Sequence, residues 1–270
     1  MTKNNPTVYA IANQKGGVGK TTLTANLGAS LSRMGKRVCL VDCDPQANLT
    51  MILGYPQPIK IPVTLPNLIL DLVNSNLDPA NSELLQKREF ILNSFNMDFI
   101  PSNKNLTGAE NMLVSVMSRE NILKKIINYI KDDYDYILID TMPSLNLITI
   151  NALNAADSVI IPMQPQYLSA KGLELLLSTI KSVKDNLNPN LSIDGVLITM
   201  YDNRLILHKD MTDIITETFG DLKIFETKIP VSVRIAEAQA KSANIFDYGP
   251  SEKISELYEQ FTKELIYNER

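Results

Sequence analysis

Eight residues constrain this chain more than any others: Lys15-Gly16-Gly17-Val18-Gly19-Lys20-Thr21-Thr22. They sit between an apolar run, Val8 to Ala12, and a helical pattern over Thr21 to Met34. Glycines let a turn wrap backbone N–H groups around an anion, and the helix that follows adds the partial positive charge of its N-terminus. The segment therefore predicts a strand, a phosphate-binding loop and a helix, in that order. Lys20 is placed to bridge the β- and γ-phosphates of a nucleotide, and the Thr21 hydroxyl to ligate Mg²⁺. Gly16, Gly17, Val18, Gly19 and Thr22 complete the expected nucleotide contacts. The common pattern G-x-x-x-x-G-K-[ST] needs glycine where Gln14 stands, so the loop is a variant, and a second lysine, Lys15, precedes its glycines.

The rest of the chain repeats the strand-then-helix rhythm. Val38 to Val41, Phe99 to Ile100, Tyr136 to Ile139, Val159 to Pro162, Val196 to Thr199 and Ile224 to Ile229 read as strands. Helical patterns lie over Ser118 to Asp132, Thr149 to Ala155, Gly172 to Asn186 and Lys209 to Phe219. The central strands are apolar at nearly every position, as in a parallel sheet covered on both faces. The expected class is α/β, a doubly wound, mostly parallel sheet with helices on both faces. No Gly/Ser-rich or Pro-rich linker divides the chain, so residues 1–270 read as one domain. Pro56 to Pro66 reads as a surface excursion. Ser251 to Tyr267 is amphipathic, with Ile254, Leu257, Tyr258, Phe261 and Leu265 on one face and glutamates on the other, which favours docking on the chain's own sheet.

Composition narrows the partners. With 44% apolar and 21% charged residues, the chain is neither disordered nor fibrous. Lysine and arginine number 26 against 30 acids, so bulk positive charge cannot hold nucleic acid, although a small basic patch could. Cys39 and Cys43 are too few for a disulfide framework. No signal peptide and no membrane-length apolar stretch is legible, so a soluble, cytoplasmic protein is expected. His208 reads as a surface residue in a loop before a helix.

Two apolar strands end in carboxylates: Asp42 and Asp44 close the second, and Asp140 closes the run Tyr136 to Ile139. Asp140 reads as the carboxylate of a Mg²⁺ shell. If its strand continued, Asp42 and Asp44 would share one side. The loop KGGVGKTT resembles the deviant Walker-A superfamily of P-loop ATPases. Further segments narrow this to ParA/Soj proteins: Asp42-Cys43-Asp44-Pro45-Gln46, Ile100-Pro101-Ser102-Asn103, Gly108-Ala109-Glu110, Asp140-Thr141-Met142-Pro143, Met200-Tyr201-Asp202 and Ile229-Pro230. The match runs from about residue 8 to 265. Met142 stands where a second proline is common, Asn146 where glycine is common, and Val231-Ser232 where an Arg-Asn pair is frequent.

That resemblance implies a partitioning ATPase using ATP and Mg²⁺. Asp44 would position the attacking water, and Asp42 would support the Mg²⁺ side with Thr21 and Asp140. Lys15 would reach the partner's phosphates in an ATP-bound homodimer. The dimer would bind DNA non-specifically through Arg204 and Arg234, with Lys209, Lys228 and Lys241 as weaker additions. A ParB-like protein would stimulate hydrolysis, and the protein would be nucleoid-associated. The first strand begins by residue 8, so no N-terminal helix-turn-helix is expected. Adenine contacts are expected at Met200, Pro230 and Val231. A MinD-like membrane-cycling ATPase is the alternative; it would need a basic, apolar C-terminal helix, which the glutamates here oppose. An iron–sulfur or ligase enzyme is a further class, with Cys39 and Cys43 expected instead to be small packing residues.

Overall fold

The first strand, β1 (Thr7–Ile11), lies in the middle of an eight-stranded sheet, described here from a computed structural model covering residues 6–166, 169–248 and 252–267. The other strands are β2 (Val38–Cys43), β3 (Leu92–Ser94), β4 (Met97–Ile100), β5 (Tyr136–Thr141), β6 (Ser158–Met163), β7 (Ser192–Tyr201) and β8 (Ile224–Pro230). Their order is β3-β4-β2-β5-β1-β6-β7-β8, and every neighbouring pair is parallel except β3–β4.

Alternate residues of each central strand feed two separate cores. Val8, Ala10, Cys39, Val41, Ile137 and Ile139 enter one; Tyr9, Ile11, Leu40 and Leu138 enter the other. Burial on both faces explains the unbroken apolar runs. The first core is covered by α3 (Leu65–Asn74), α5 (Leu106–Leu113), α6 (Ile122–Ile130), α7 (Leu147–Ala155) and α8 (Ser169–Asn186). Its edges carry α4 (Glu83–Lys87) and α9 (Ile206–Thr218). The second is covered by α1 (Lys20–Arg33), α2 (Asn48–Ile52), α10 (Val233–Ala240) and α11 (Glu252–Tyr267). The doubly wound expectation holds. At Gly28, α1 packs so closely on the sheet that a Cβ would lie 2.8 Å from Leu40 Cδ2.

The C-terminal helix docks as its pattern implied: Ile254, Tyr258, Phe261 and Leu265 are buried. The Glu264 carboxylate accepts from the backbone N–H groups of Glu226 (2.7 Å) and Thr227 (3.1 Å) and from the Thr227 hydroxyl (2.9 Å), so this acid clamps α11 to β8. Among the described residues no helix is long and apolar enough to cross a membrane.

Several expectations need revision. The excursion after β2 holds more structure than its prolines suggested. α2 precedes it, and Pro66 lies inside the first turn of α3, where it needs no N–H. Thr64 and Asn67 form the capping box of that helix, with 3.0 Å from the Thr64 N–H to Asn67 Oδ1. β3 and β4 form a hairpin whose two turn residues, Phe95 and Asn96, both have positive φ. Such turns usually announce themselves by Asn-Gly, which is absent here. α9 begins at Ile206, three residues earlier than expected, so His208 is helical and half-buried.

Candidate nucleotide-binding site

The loops at the carboxyl ends of the central strands converge, the usual place for a ligand on an open parallel sheet. After β1 the chain turns through Gly17 (φ 72°) and Gly19 (φ 88°), left-handed backbone that favours glycine. α1 starts at the next residue without a side-chain cap, and its first turn lines an open cleft of about 590 Å³. Gly16, Gly17, Gly19, Lys20, Thr21 and Thr22 form one wall of that cleft. Val18 is the exception among the loop residues: its side chain is buried, and its carbonyl accepts from the Thr199 hydroxyl at 2.8 Å, which anchors the loop to β7.

Lys20 is buried, and its ammonium donates to the Asn13 carbonyl (3.0 Å) and the Lys15 carbonyl (3.2 Å). Burial lowers its pKa, while the charges of Asp140 and Asp44 pull it back up. Asp140 is wholly buried. Burial, then the charge of Asp42, pushes its pKa well up; the Thr21 hydroxyl and the Lys20 ammonium oppose that. Among the described residues its Oδ2 has no hydrogen-bond partner, and its Oδ1 lies 3.5 Å from the Thr24 hydroxyl. An orphaned carboxylate oxygen beside a hydroxyl and an ammonium is what a hard cation or a protonated ligand group would satisfy.

The two acids at the end of β2, Asp42 within the strand and Asp44 just past it, do not share a side. β2 ends at Cys43, so the alternation stops before Asp44. Asp44 lines the cleft, and its Oδ1 accepts from the Gln46 N–H at 2.8 Å. Asp42 is sealed beneath it and does not line the cleft. Asp42 Oδ1 accepts from the Asp44 N–H (3.1 Å), and Oδ2 accepts from the Thr50 N–H (2.9 Å) and hydroxyl (2.6 Å). Burial raises the Asp42 pKa to about 6 against these donors. Asp42 thus fixes Asp44 and α2; its oxygens are committed, which corrects the expectation of a metal-side ligand. Cys39 and Cys43 are buried and free, with thiol pKa values pushed up by burial, as packing residues should be.

Lys15 lies off the cleft wall, its ammonium bonded to the Gln166 side-chain oxygen. Of the three residues expected at adenine, Met200 lines the cleft. Pro230 and Val231 do not, and Val231 is 69% exposed. The cleft's remaining lining includes Met51, Ile52 and Pro56, together with Gln239, Ala240 and Ser242. Sequence reasoning missed Gln239, whose Nε2 donates to the Thr22 hydroxyl at 2.7 Å, and Gln164, whose Nε2 donates to the Gly17 carbonyl at 2.9 Å. Neither falls in a motif read from the sequence.

Asn146 has a local role. Its Oδ1 caps α7 through the Thr149 N–H (3.1 Å), and its Nδ2 donates to Glu110 Oε2 (2.8 Å). Glu110 Oε1 accepts from the Leu147 N–H at 3.0 Å. The basic residues expected on DNA are spread over the β7–α9 and β8–α10 ends. The Arg204 guanidinium pairs with Asp202 (Nη2–Oδ2 2.7 Å), and that of Arg234 with Glu237 (3.2 Å). Lys228 and Lys241 lie over the rings of Tyr201 and Tyr248, and Lys209 is exposed.

Comparison with known proteins agrees with this geometry. A family described as an AAA domain matches residues 6–193. The chain is 42% identical over 261 residues to the sporulation initiation inhibitor protein Soj of Bacillus subtilis, covering 97% of this chain and 98% of that one. It is 40% identical over 254 residues to the chromosome-partitioning ATPase Soj of Treponema pallidum, covering 94% of each. Among solved structures, cobyrinic acid a,c-diamide synthase from Mycobacterium smegmatis, with bound ADP and magnesium, matches with a TM-score of 0.80 and 33% identity, covering 97% of this chain and 95% of that one. With its variant glycine loop, its cleft at the strand ends and relatives matched along nearly their whole length, the chain belongs to the Soj/ParA family of chromosome-partitioning ATPases.

Proposed function

We propose that the cleft binds ATP with Mg²⁺ and that the bound nucleotide closes two copies of the chain into a dimer that holds DNA without sequence preference. A ParB-like partner then stimulates hydrolysis and releases the DNA, which makes the protein nucleoid-associated. The eight strands share one sheet, which supports a single ATPase domain over residues 1–270.

The observation that carries this reading is the buried Lys20 ammonium. Its hydrogen bonds end on two carbonyls of its own loop, beside glycines and the uncapped first turn of α1. An ammonium held this way exchanges loop carbonyls for phosphate oxygens without first being dragged out of bulk water. The Gly16 to Thr22 backbone then wraps the phosphates, and Thr22 stays oriented by Gln239. Among the described residues no cluster of three or more His, Cys, Asp or Glu could hold a metal. That suits Mg²⁺, which keeps waters and nucleotide phosphates as ligands and takes only one or two from protein. Thr21, which lines the cleft, and Asp140, wholly buried with an Oδ2 unpartnered among the described residues, are the side chains that would hold it, and when bound it would neutralise charge on the β- and γ-phosphates.

Asp44 orients the attacking water from the cleft wall, held in place through its N–H by Asp42. Lys15 is released from Gln166 and reaches the partner's nucleotide, where a second ammonium offsets charge on the transferred phosphoryl group. Met200, with Pro230 and Val231 contributed at the closed interface, contacts the base. Arg204 and Arg234 meet DNA phosphates, with Lys209, Lys228 and Lys241 adding weaker contacts. Because the dimer doubles every phosphate contact, affinity rises steeply with dimerisation.

The test combines sedimentation and DNA binding with ATP, ADP and no nucleotide. ATP alone should produce a dimer and DNA retention; DNA affinity indifferent to nucleotide refutes the reading. Lys20→Ala should abolish nucleotide binding, and Asp44→Ala should leave a DNA-bound dimer that does not hydrolyse ATP.

A further inference from the structure

Both arginines assigned to DNA are already occupied by carboxylates of their own chain. The tighter pair is Asp202–Arg204. Asp202 Oδ1 accepts from the Arg204 backbone N–H (3.0 Å) and Nε (2.9 Å), and Oδ2 accepts from Nη2 (2.7 Å). The pair is bidentate, the geometry in which arginine and carboxylate fit best. It holds the Asp202 carboxyl down to about 2, so the acid stays charged at any physiological pH. The acid itself is pinned: its backbone N–H donates to His208 Nδ1 at 2.9 Å, and its carbonyl accepts from the Leu205 N–H at 3.1 Å. The Arg204 side chain, by contrast, is 85% exposed, against 25% for that of the acid. A fixed acid therefore holds a cation that remains open to a competitor. Arg234 repeats the arrangement more loosely, with one 3.2 Å contact to Glu237 on the next helical turn.

We propose that Asp202 is a built-in competitor for DNA: it occupies the Arg204 guanidinium in the free protein, and a DNA phosphate must displace it to make the contact. The proposal rests on the reading of Arg204 as a DNA-contacting residue. An exposed ion pair is weak, so the displacement costs about 1.4- to 5-fold in affinity per protomer, or about 2- to 30-fold for a dimer that makes the contact twice. That is large enough to measure and too small to block binding. Asp202 thereby sets how much affinity dimerisation must supply before DNA is held.

The experiment measures binding of the ATP-bound protein to a random-sequence duplex across a salt series. It compares the unaltered protein with Asp202→Asn, Arg204→Ala and the double variant. Asp202→Asn should tighten binding about 2- to 30-fold. In the Arg204→Ala background the same change should have far less effect, because the cation it competes for is gone. Equal tightening in both backgrounds would mean that Asp202 merely repels DNA through space, which overturns the competitor. No tightening, together with clear weakening by Arg204→Ala, overturns the competitor and leaves the DNA reading standing. Unchanged affinity in Arg204→Ala overturns the DNA role of Arg204 and the competitor with it. Circular dichroism on each variant separates lost folding from lost binding.

Discussion

Replacing Thr50 with valine removes one hydroxyl and nothing else of comparable size, yet that hydroxyl joins three elements. It donates to the buried Asp42 carboxylate at 2.6 Å and accepts from the Ser102 N–H, just past β4, at 3.0 Å. Losing a hydrogen bond to a charged group costs about 1.5–3 kcal/mol, and a buried backbone N–H left without its acceptor costs about 1–3 kcal/mol. Thr50→Val should therefore destabilise the nucleotide-free protein by roughly 3–5 kcal/mol, a large share of the about 5–15 kcal/mol that holds a domain together. The loss should depend on pH. The hydroxyl favours the charged form of Asp42, whose pKa is about 6, so the penalty is full well above that value, where the carboxyl is charged in both proteins, and is about 1 kcal/mol smaller below it, where the carboxyl is protonated in both. Equilibrium urea unfolding at pH 7.5 and pH 5, with an unchanged denaturant slope, measures both effects. Thr50→Ser keeps both bonds and serves as the control. A loss under about 1 kcal/mol at pH 7.5, or an equal loss at both pH values, refutes the hub assigned to Thr50.

Three further outcomes follow from particular contacts. The raised pKa of Asp42 opposes folding: the cost is absent below the unfolded value of about 3.8, grows as the unfolded chain ionises first, and reaches about 3 kcal/mol above pH 6. Asp140 is shifted the same way, so the nucleotide-free protein should melt at a higher temperature at pH 5 than at pH 7.5, and the opposite slope in scanning fluorimetry counts against this. Gly28→Ala places a Cβ 2.8 Å from Leu40 Cδ2 and 3.0 Å from Met97 Sδ, an overpacking cost of about 1–3 kcal/mol; Gly108→Ala meets nothing within 4 Å and should stabilise α5 by about 0.5–1 kcal/mol. Calorimetry should find opposite signs for the two. Glu110→Ala strips two hydrogen bonds from the start of α7 and should cost about 1–2 kcal/mol while speeding amide exchange at Leu147; unchanged exchange there contradicts the capping role.

The phosphate loop was legible because its requirement is local: glycines, a lysine and a hydroxyl must fall at fixed spacing between a strand and a helix. The parallel sheet was legible because burial on both faces leaves strands such as Tyr136 to Ile139 without polar positions. What stayed hidden depends on partners distant in sequence. Gln239 reaches Thr22 across 217 positions, and Gln164 reaches Gly17 across 147. The positive φ of Phe95 and Asn96 hid the β3–β4 hairpin, and the prolines at 56, 58, 62 and 66 masked the start of α3. Asp42 and Asp44 looked equivalent because alternation presumes that the strand continues; β2 stops between them, and one acid is sealed while the other stays open to the cleft.

The place of β1 in the sheet matters while the protein is being made. Its two neighbours, β5 and β6, begin at residues 136 and 158, so the first strand of the sheet has no neighbour to join until about half the chain has followed. Meanwhile β2, β3 and β4 can already pair with one another. At about 5–20 residues per second the wait for β5 lasts roughly 6–26 s. Through that interval the glycine loop is tethered to an unpaired apolar strand and has no cleft to line. A nascent chain stalled before residue 136 should therefore be unable to retain nucleotide, and its exposed first strand is a natural target for a chaperone.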